Sequence, residues 1–76
     1  MPDIPLSSID RIIRYTGATR IKPGATESLR NITENIIIII AKKALELTHH
    51  RSQQTISEED IKQAFRLIFP DLIKYR

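Results

Sequence analysis

Residues 23–48 read PGATESLRNITENIIIIIAKKALELT, and the predicted fold depends mainly on this segment. Its apolar residues recur every three or four positions, with polar and charged residues between them. That spacing predicts an amphipathic α-helix of about 26 residues, for which Pro23 suits the first helical position. The isoleucines at 36–40 are β-branched and favour a strand, but helical spacing continues on both sides without Gly or Pro. The sequence therefore predicts one long helix whose middle is apolar on every side.

A shorter helix is predicted before the long one. Residues 6–16 carry isoleucines at helical spacing and start directly after Pro5. Gly17 follows, and Gly is the residue favoured just beyond a helix end. Residues 18–22 then form a loop that leads to Pro23.

A second short helix is predicted after the long one. The polar residues 52–55 form a loop, and Ser57 then precedes three acidic residues in the pattern of a helix N-cap. The helix covers residues 58–69 and ends at Pro70, which cannot continue it. Residues 70–76 are predicted to add a short final turn. The fold class is all-α, with helices in the order short, long, short.

The composition of the 76 residues excludes several classes of protein. The chain has no Cys, so it has no disulfide framework, thiolate metal site or Cys nucleophile. Its first residues lack the basic and apolar pattern of a signal peptide, so we expect none. Its longest apolar run is far shorter than the ~20 residues that span a bilayer. We therefore expect a soluble, intracellular protein without a membrane partner. The net charge of +3 is a mild bias that suits a polyanionic partner.

Nothing in the sequence points to catalysis or to a bound cofactor. No nucleophile stands in a pattern with a base, and the two glycines form no phosphate-binding loop. We therefore expect no enzyme, no cofactor and no small-molecule substrate. His49 and His50 are adjacent helical positions about 100° apart, and with no third ligand nearby we expect no metal site.

The predicted long helix exceeds the size of a compact monomer. About 26 residues make a helix of about 39 Å, whereas a globule of this length is about 30 Å across. Two short helices do not cover every side of residues 36–40, so a second copy is expected to cover the rest. A monomeric three-helix bundle with a bent central helix is the alternative. The predicted dimer core consists of Leu29, Ile32, Ile36, Ile39 and Ile40.

Three stretches resemble archaeal histones: IPLSSIDRIIR at 4–14, GATRI at 17–21 and QTISEEDI at 54–61. An Arg-bearing first loop and a Thr-bearing second loop stand at matching distances from the long helix. The resemblance implies a histone-fold domain over residues 1–68 that forms an intertwined handshake homodimer. Residues 69–76 are then a C-terminal extension that packs on helix three or lengthens it.

The resemblance also implies that the homodimer binds double-stranded DNA with little sequence preference, in the cytoplasm and associated with the chromosome or nucleoid. Loop one of one protomer is expected beside loop two of the other, which brings Arg20 next to Thr55 and into a minor groove. Arg11 and Arg14 are expected to meet phosphates. The implied DNA-binding residues are Arg11, Arg14, Arg20, Lys22, Gln54 and Thr55.

The second loop departs from the archaeal-histone pattern. Gln53 stands where the family usually has an Arg that pairs with the Asp of helix three, here Asp60. Without that Arg clamp, we expect Asp60 to act mainly as a helix cap and the loop to be held less firmly. Leu47, His50 and Asp60 match the family's dimer–dimer contact, so a tetramer is a candidate assembly.

Two alternatives for the assembly and function stay open. In the first, the chain pairs with another histone-fold chain in a transcription or chromosome complex and scarcely touches DNA. The modest charge, Gln53-Gln54 and the apolar C-terminal tail favour this alternative. In the second, the apolar tail directs dimers into a closed tetramer that bridges two duplexes. The apolar tail residues are Phe69, Leu72, Ile73 and Tyr75.

Overall fold

The chain forms three α-helices and a short 3₁₀ helix in a computed structural model that describes residues 3–75, with side chains as far as Leu72. The elements are α1 (Leu6–Arg14), α2 (Pro23–His50), α3 (Glu58–Ile68) and the 3₁₀ helix Pro70–Tyr75. The short-long-short order is the predicted one. The isoleucines at 36–40 lie within α2, and the described residues contain no strand.

Helix α1 ends at Arg14, two residues before its predicted end. The backbone N–H groups of Tyr15, Thr16 and Gly17 each donate to the carbonyl three residues back, at 3.0–3.1 Å, so the last turn tightens toward 3₁₀ geometry. Gly17 then has φ 101°, a left-handed conformation that strains residues with a side chain. The first loop therefore starts at this glycine, as its position in the sequence indicates.

Helix α2 is 28 residues long and ends in a Schellman motif. The Gln53 N–H donates to the Thr48 carbonyl at 3.1 Å, and the Ser52 N–H donates to the His49 carbonyl at 2.9 Å. Ser52 has φ 59°, in the left-handed position that glycine usually holds in this motif. These bonds satisfy carbonyls of the last turn and reverse the chain into the second loop.

Helix α3 begins with the predicted N-cap at Ser57, which forms a full capping box. The Ser57 Oγ accepts the Asp60 N–H at 3.2 Å, and the Asp60 Oδ2 accepts the Ser57 N–H at 2.9 Å. The helix ends at Ile68, one residue before the prediction. Its start is therefore fixed by reciprocal bonds between two residues of one turn.

The C-terminal tail turns into the 3₁₀ helix Pro70–Tyr75. The Phe65 and Phe69 rings lie 5.7 Å apart, and the Leu72 N–H donates to the Phe69 carbonyl at 3.1 Å. The described part of the chain excludes residues 1, 2 and 76. It also excludes the side chains of the predicted tail residues Ile73 and Tyr75. The limits of the two predicted domains stay predictions.

Two compact units make up the chain, one ending at Ile36 and the other beginning at Ile37. Ile9 and Thr26 are the buried residues of the first unit; Ala44, Thr48, Asp60 and Ala64 are those of the second, among the described residues. Only Ile9, Ala44 and Ala64 of these are apolar. The exposed large apolar residues of α2 are Leu29, Ile32, Ile36, Ile37, Ile38, Ile39 and Leu45. A single copy of the chain therefore leaves most apolar side chains of its longest helix uncovered.

Candidate nucleic-acid interface

The first loop, residues 18–22, presents Arg20 to solvent in the first unit. Arg14 reaches this loop from α1. Its Nε donates to Asp10 Oδ2 at 2.8 Å, and its Nη1 donates to the Thr19 carbonyl oxygen at 3.1 Å. One guanidinium therefore joins the helix to the loop at the residue directly before Arg20.

Four predicted DNA-binding cations lie in the first unit, and all are exposed: Arg11, Arg14, Arg20 and Lys22. Arg11 and Arg14 are three positions apart on α1 and so lie on neighbouring turns of one face. Within the described residues, Arg14 alone of the four has an acidic partner, Asp10. The first unit thus offers exposed positive charge on α1 and on the adjoining loop.

The other two predicted DNA-binding residues, Gln54 and Thr55, are exposed in the second loop. They belong to the second unit. Their predicted position beside Arg20 joins loops of two different protomers, so it stays a prediction.

Asp60 holds the second loop at both of its ends. Its side chain is 5% exposed and lies at the start of α3. Oδ1 accepts a hydrogen bond from Arg51 Nε at 3.2 Å. Oδ2 accepts bonds from Arg51 Nη2, Thr48 Oγ1 at 2.8 Å, Ser57 N at 2.9 Å and Ser57 Oγ at 3.0 Å. The carboxylate therefore connects the end of α2, the start of the loop and the first turn of α3.

This cluster corrects the expectation that the second loop lacks an arginine clamp. Gln53 does occupy the usual arginine position, but Arg51, two residues earlier, forms a two-pronged pair with Asp60. A guanidinium on a long side chain can serve one carboxylate from more than one loop position. Asp60 is thus both a helix cap and a clamp, and the residues that sequence reasoning missed are Arg51 and Thr48.

The predicted dimer–dimer residues lie near this cluster in the second unit. His50 is exposed, Leu47 is half-buried, and Asp60 is buried. Both Asp60 oxygens already accept bonds within the chain. A contact between Asp60 and His50 of another dimer would have to share those oxygens, and it stays a prediction.

The pKa of Asp60 lies well below its ordinary value. The backbone hydrogen bond from Ser57 is the largest cause, and bonds from Thr48 and Arg51 lower the pKa further, while burial acts in the opposite direction. A depressed pKa in the folded state means that the ionised carboxylate stabilises the fold above its unfolded pKa, about 3.9. That stabilisation is lost as the pH falls below this value toward the folded pKa.

Asp60→Asn is expected to lower the thermal unfolding midpoint at pH 7 by roughly 10 °C, because an amide cannot accept all of these bonds. Circular dichroism melts measure the change. Asp71→Asn, at an exposed aspartate on the 3₁₀ helix, is the matched control and should melt with the parent.

The same melts between pH 7 and pH 2.5 test whether this stabilisation depends on the ionised Asp60 carboxylate. The parent should lose stability below about pH 4, so its midpoint should approach that of Asp60→Asn. A gap that stays constant over this range would contradict the assigned role of the ionised carboxylate.

No helix in residues 3–75 combines the length and hydrophobicity that a membrane crossing requires. Nowhere in that part of the chain do three His, Asp or Glu side chains gather as a metal ion would need.

These features are those of a histone-fold protein. The helices follow the order short, long, short, the first loop exposes an arginine, and an arginine–aspartate pair holds the second loop. The chain belongs to the family described as "Histone-like transcription factor (CBF/NF-Y) and archaeal histone", which residues 2–65 match. This membership confirms the predicted fold class and the expectation that the chain is not an enzyme.

Two curated relatives are archaeal histones by name. One, from Thermococcus zilligii, is named as one of the subunits of archaeal histone HAN1; it is 35% identical over 66 residues, which cover 87% of this chain and 98% of that relative. Probable archaeal histone 3 of Methanocaldococcus jannaschii is 32% identical over 66 residues, with 87% and 98% covered. The resemblance read from the sequence therefore extends over most of the chain.

Proposed function

We propose that this chain is an architectural protein that binds double-stranded DNA as a homodimer, with little sequence preference, and compacts, wraps or bridges it. The observation that carries the proposal is the exposed Arg20 loop beside the exposed cations of α1, in a chain of the archaeal-histone family. DNA is then its main partner, and the chromosome or nucleoid in the cytoplasm its location.

The exposure of α2 supports the homodimer. Four of the five predicted dimer-core residues are exposed in the single chain, and Ile40 is half-buried. Leu29, Ile32 and Ile36 follow helical spacing and share one face of α2. A handshake partner that lays its own α2 against this face removes these side chains from water.

The chemistry of the exposed groups supports binding to the DNA backbone and minor groove. Arg is the side chain best suited to a narrow, negative minor groove, which is the role proposed for Arg20. Arg11, Arg14 and Lys22 are proposed to contact phosphates, and Gln54 and Thr55 of the other protomer to flank Arg20. Phosphate contacts carry no sequence information, so binding should tolerate most sequences.

A second candidate function is that of a histone-fold subunit that pairs with a different chain. The name of the Thermococcus zilligii relative, which describes that protein as one subunit of HAN1, favours it. The exposed apolar face of α2 suits a similar but non-identical partner equally well. A tetramer built through Leu47, His50 and Asp60, or through the tail, is a further proposal within the first function.

Light scattering and fluorescence anisotropy with two unrelated duplexes of about 60 base pairs test the proposed function. The purified chain should be a dimer or tetramer that binds both duplexes with similar affinity at 50 mM salt. Six phosphate contacts per dimer imply an affinity about a thousandfold lower at 200 mM salt. A stable oligomer that ignores both duplexes at 50 mM salt would refute DNA binding, and a chain that aggregates alone would favour the hetero-pairing subunit.

A further inference from the structure

The first loop is held in place by few bonds. Among the described residues, residues 18–21 take part in one hydrogen bond, from Arg14 Nη1 to the Thr19 carbonyl oxygen. On the other side of Arg20, Ile21 and Leu6 both line an open groove of about 320 Å³. The bond from Arg14 therefore holds the backbone at Thr19, the residue directly before Arg20.

Asp10 sets the direction of the Arg14 guanidinium. It lies one turn earlier on α1 and accepts the Nε proton at 2.8 Å. This bond orients the planar group so that Nη1 meets Thr19. Only two of the five guanidinium N–H groups are used in these bonds, so the others can still meet a phosphate.

We propose that Asp10 and Arg14 are positioning residues that place Arg20 for the DNA minor groove, in addition to any phosphate contact that Arg14 makes. The proposal rests on the proposed DNA binding. A loop that is ordered before binding loses less conformational freedom when its arginine enters the groove. In this role an acidic residue on a DNA-facing helix strengthens binding, although its charge alone would repel the phosphates.

Whether Asp10→Asn raises or lowers the affinity for DNA distinguishes a positioning role from a simple effect of charge. The substitution raises the net charge by one, so charge alone predicts tighter binding. Positioning predicts the opposite, a loss of about threefold to tenfold in affinity for a 60-base-pair duplex at 100 mM salt. Asp71→Asn makes the same charge change at an exposed site on the 3₁₀ helix and should bind as tightly as the parent or slightly tighter.

Arg14→Lys is the second test, because it keeps the charge and loses the two-pronged bridge. Its affinity should fall by about the same factor as that of Asp10→Asn, while the slope of affinity against salt stays that of the parent. Thermal melts within a few degrees of the parent show that both variants are folded.

The double variant Asp10→Asn with Arg20→Ala distinguishes a positioning role from a general loss of structure. If Asp10 acts through Arg20, then Asp10→Asn has no further effect in the Arg20→Ala background. Equal losses in both backgrounds, or unchanged or tighter binding by Asp10→Asn, would overturn the positioning role while leaving DNA binding intact. A parent chain that ignores DNA would overturn the proposed function itself, and this inference with it.

Discussion

Ile32→Lys is expected to abolish the dimer. Ile32 is 54% exposed in the single chain, so a monomeric fold would accept the lysine at little cost. In the proposed dimer, the same position brings two ammonium groups into an apolar core without partners. The dimer dissociation constant should rise by at least a factor of about 1,000, or ~4 kcal/mol. Sedimentation equilibrium at micromolar concentration measures it.

The same substitution is expected to remove most of the helical circular dichroism signal. Ile9, Ala44 and Ala64 are the buried apolar residues of the described chain, an interior too small to support the fold alone. Dissociation should therefore be accompanied by unfolding.

Asn31→Lys is the matched control for Ile32→Lys. The two positions are neighbours on α2 and both are exposed, but they project about 100° apart. Lysine at position 31 should leave the mass and the melting temperature unchanged. A dimeric Ile32→Lys variant with the parent's stability would instead place Ile32 outside the dimer interface, and a folded, monomeric parent would support the monomeric three-helix bundle.

Arg20→Ala is expected to weaken DNA binding by at least about tenfold at constant salt, since each dimer loses two minor-groove arginines. Anisotropy titrations with the 60-base-pair duplex measure the change. This loss of affinity should be larger than the loss caused by removing two positive charges per dimer at a site away from the DNA, because Arg20 is proposed to lie within the groove.

Arg66→Ala removes the same charge from α3 and tests this distinction. Arg66 pairs with Glu59 at 3.0 Å and is exposed, outside the proposed interface. Its loss should change affinity less than twofold. Equal losses in the two variants would mean that only net charge matters, and no loss in either would place Arg20 outside the interface.

Local sequence signals predict the three helices and the residues at which they begin and end, to within two residues. The spacing of apolar residues through positions 23–48 is a property of the helix period, so it identified α2 despite the isoleucine run. Gly17 and Ser57 act through bonds and dihedral angles of their own turn. Local signals of this kind need no knowledge of distant residues.

The side chains that hold the two loops could not be predicted from the sequence, because their contacts depend on the folded backbone. Asp60 meets Thr48 and Arg51, twelve and nine residues away, so the arginine clamp survives although Gln53 occupies the usual arginine position. Arg14 likewise serves a carboxylate on its own helix and a carbonyl in the next loop. Long, flexible side chains reach partners that depend on how the backbone turns in three dimensions, and no spacing rule encodes that turn. The functional residues of the loops can therefore be predicted from the sequence, whereas the hydrogen bonds that position these residues are a consequence of the fold.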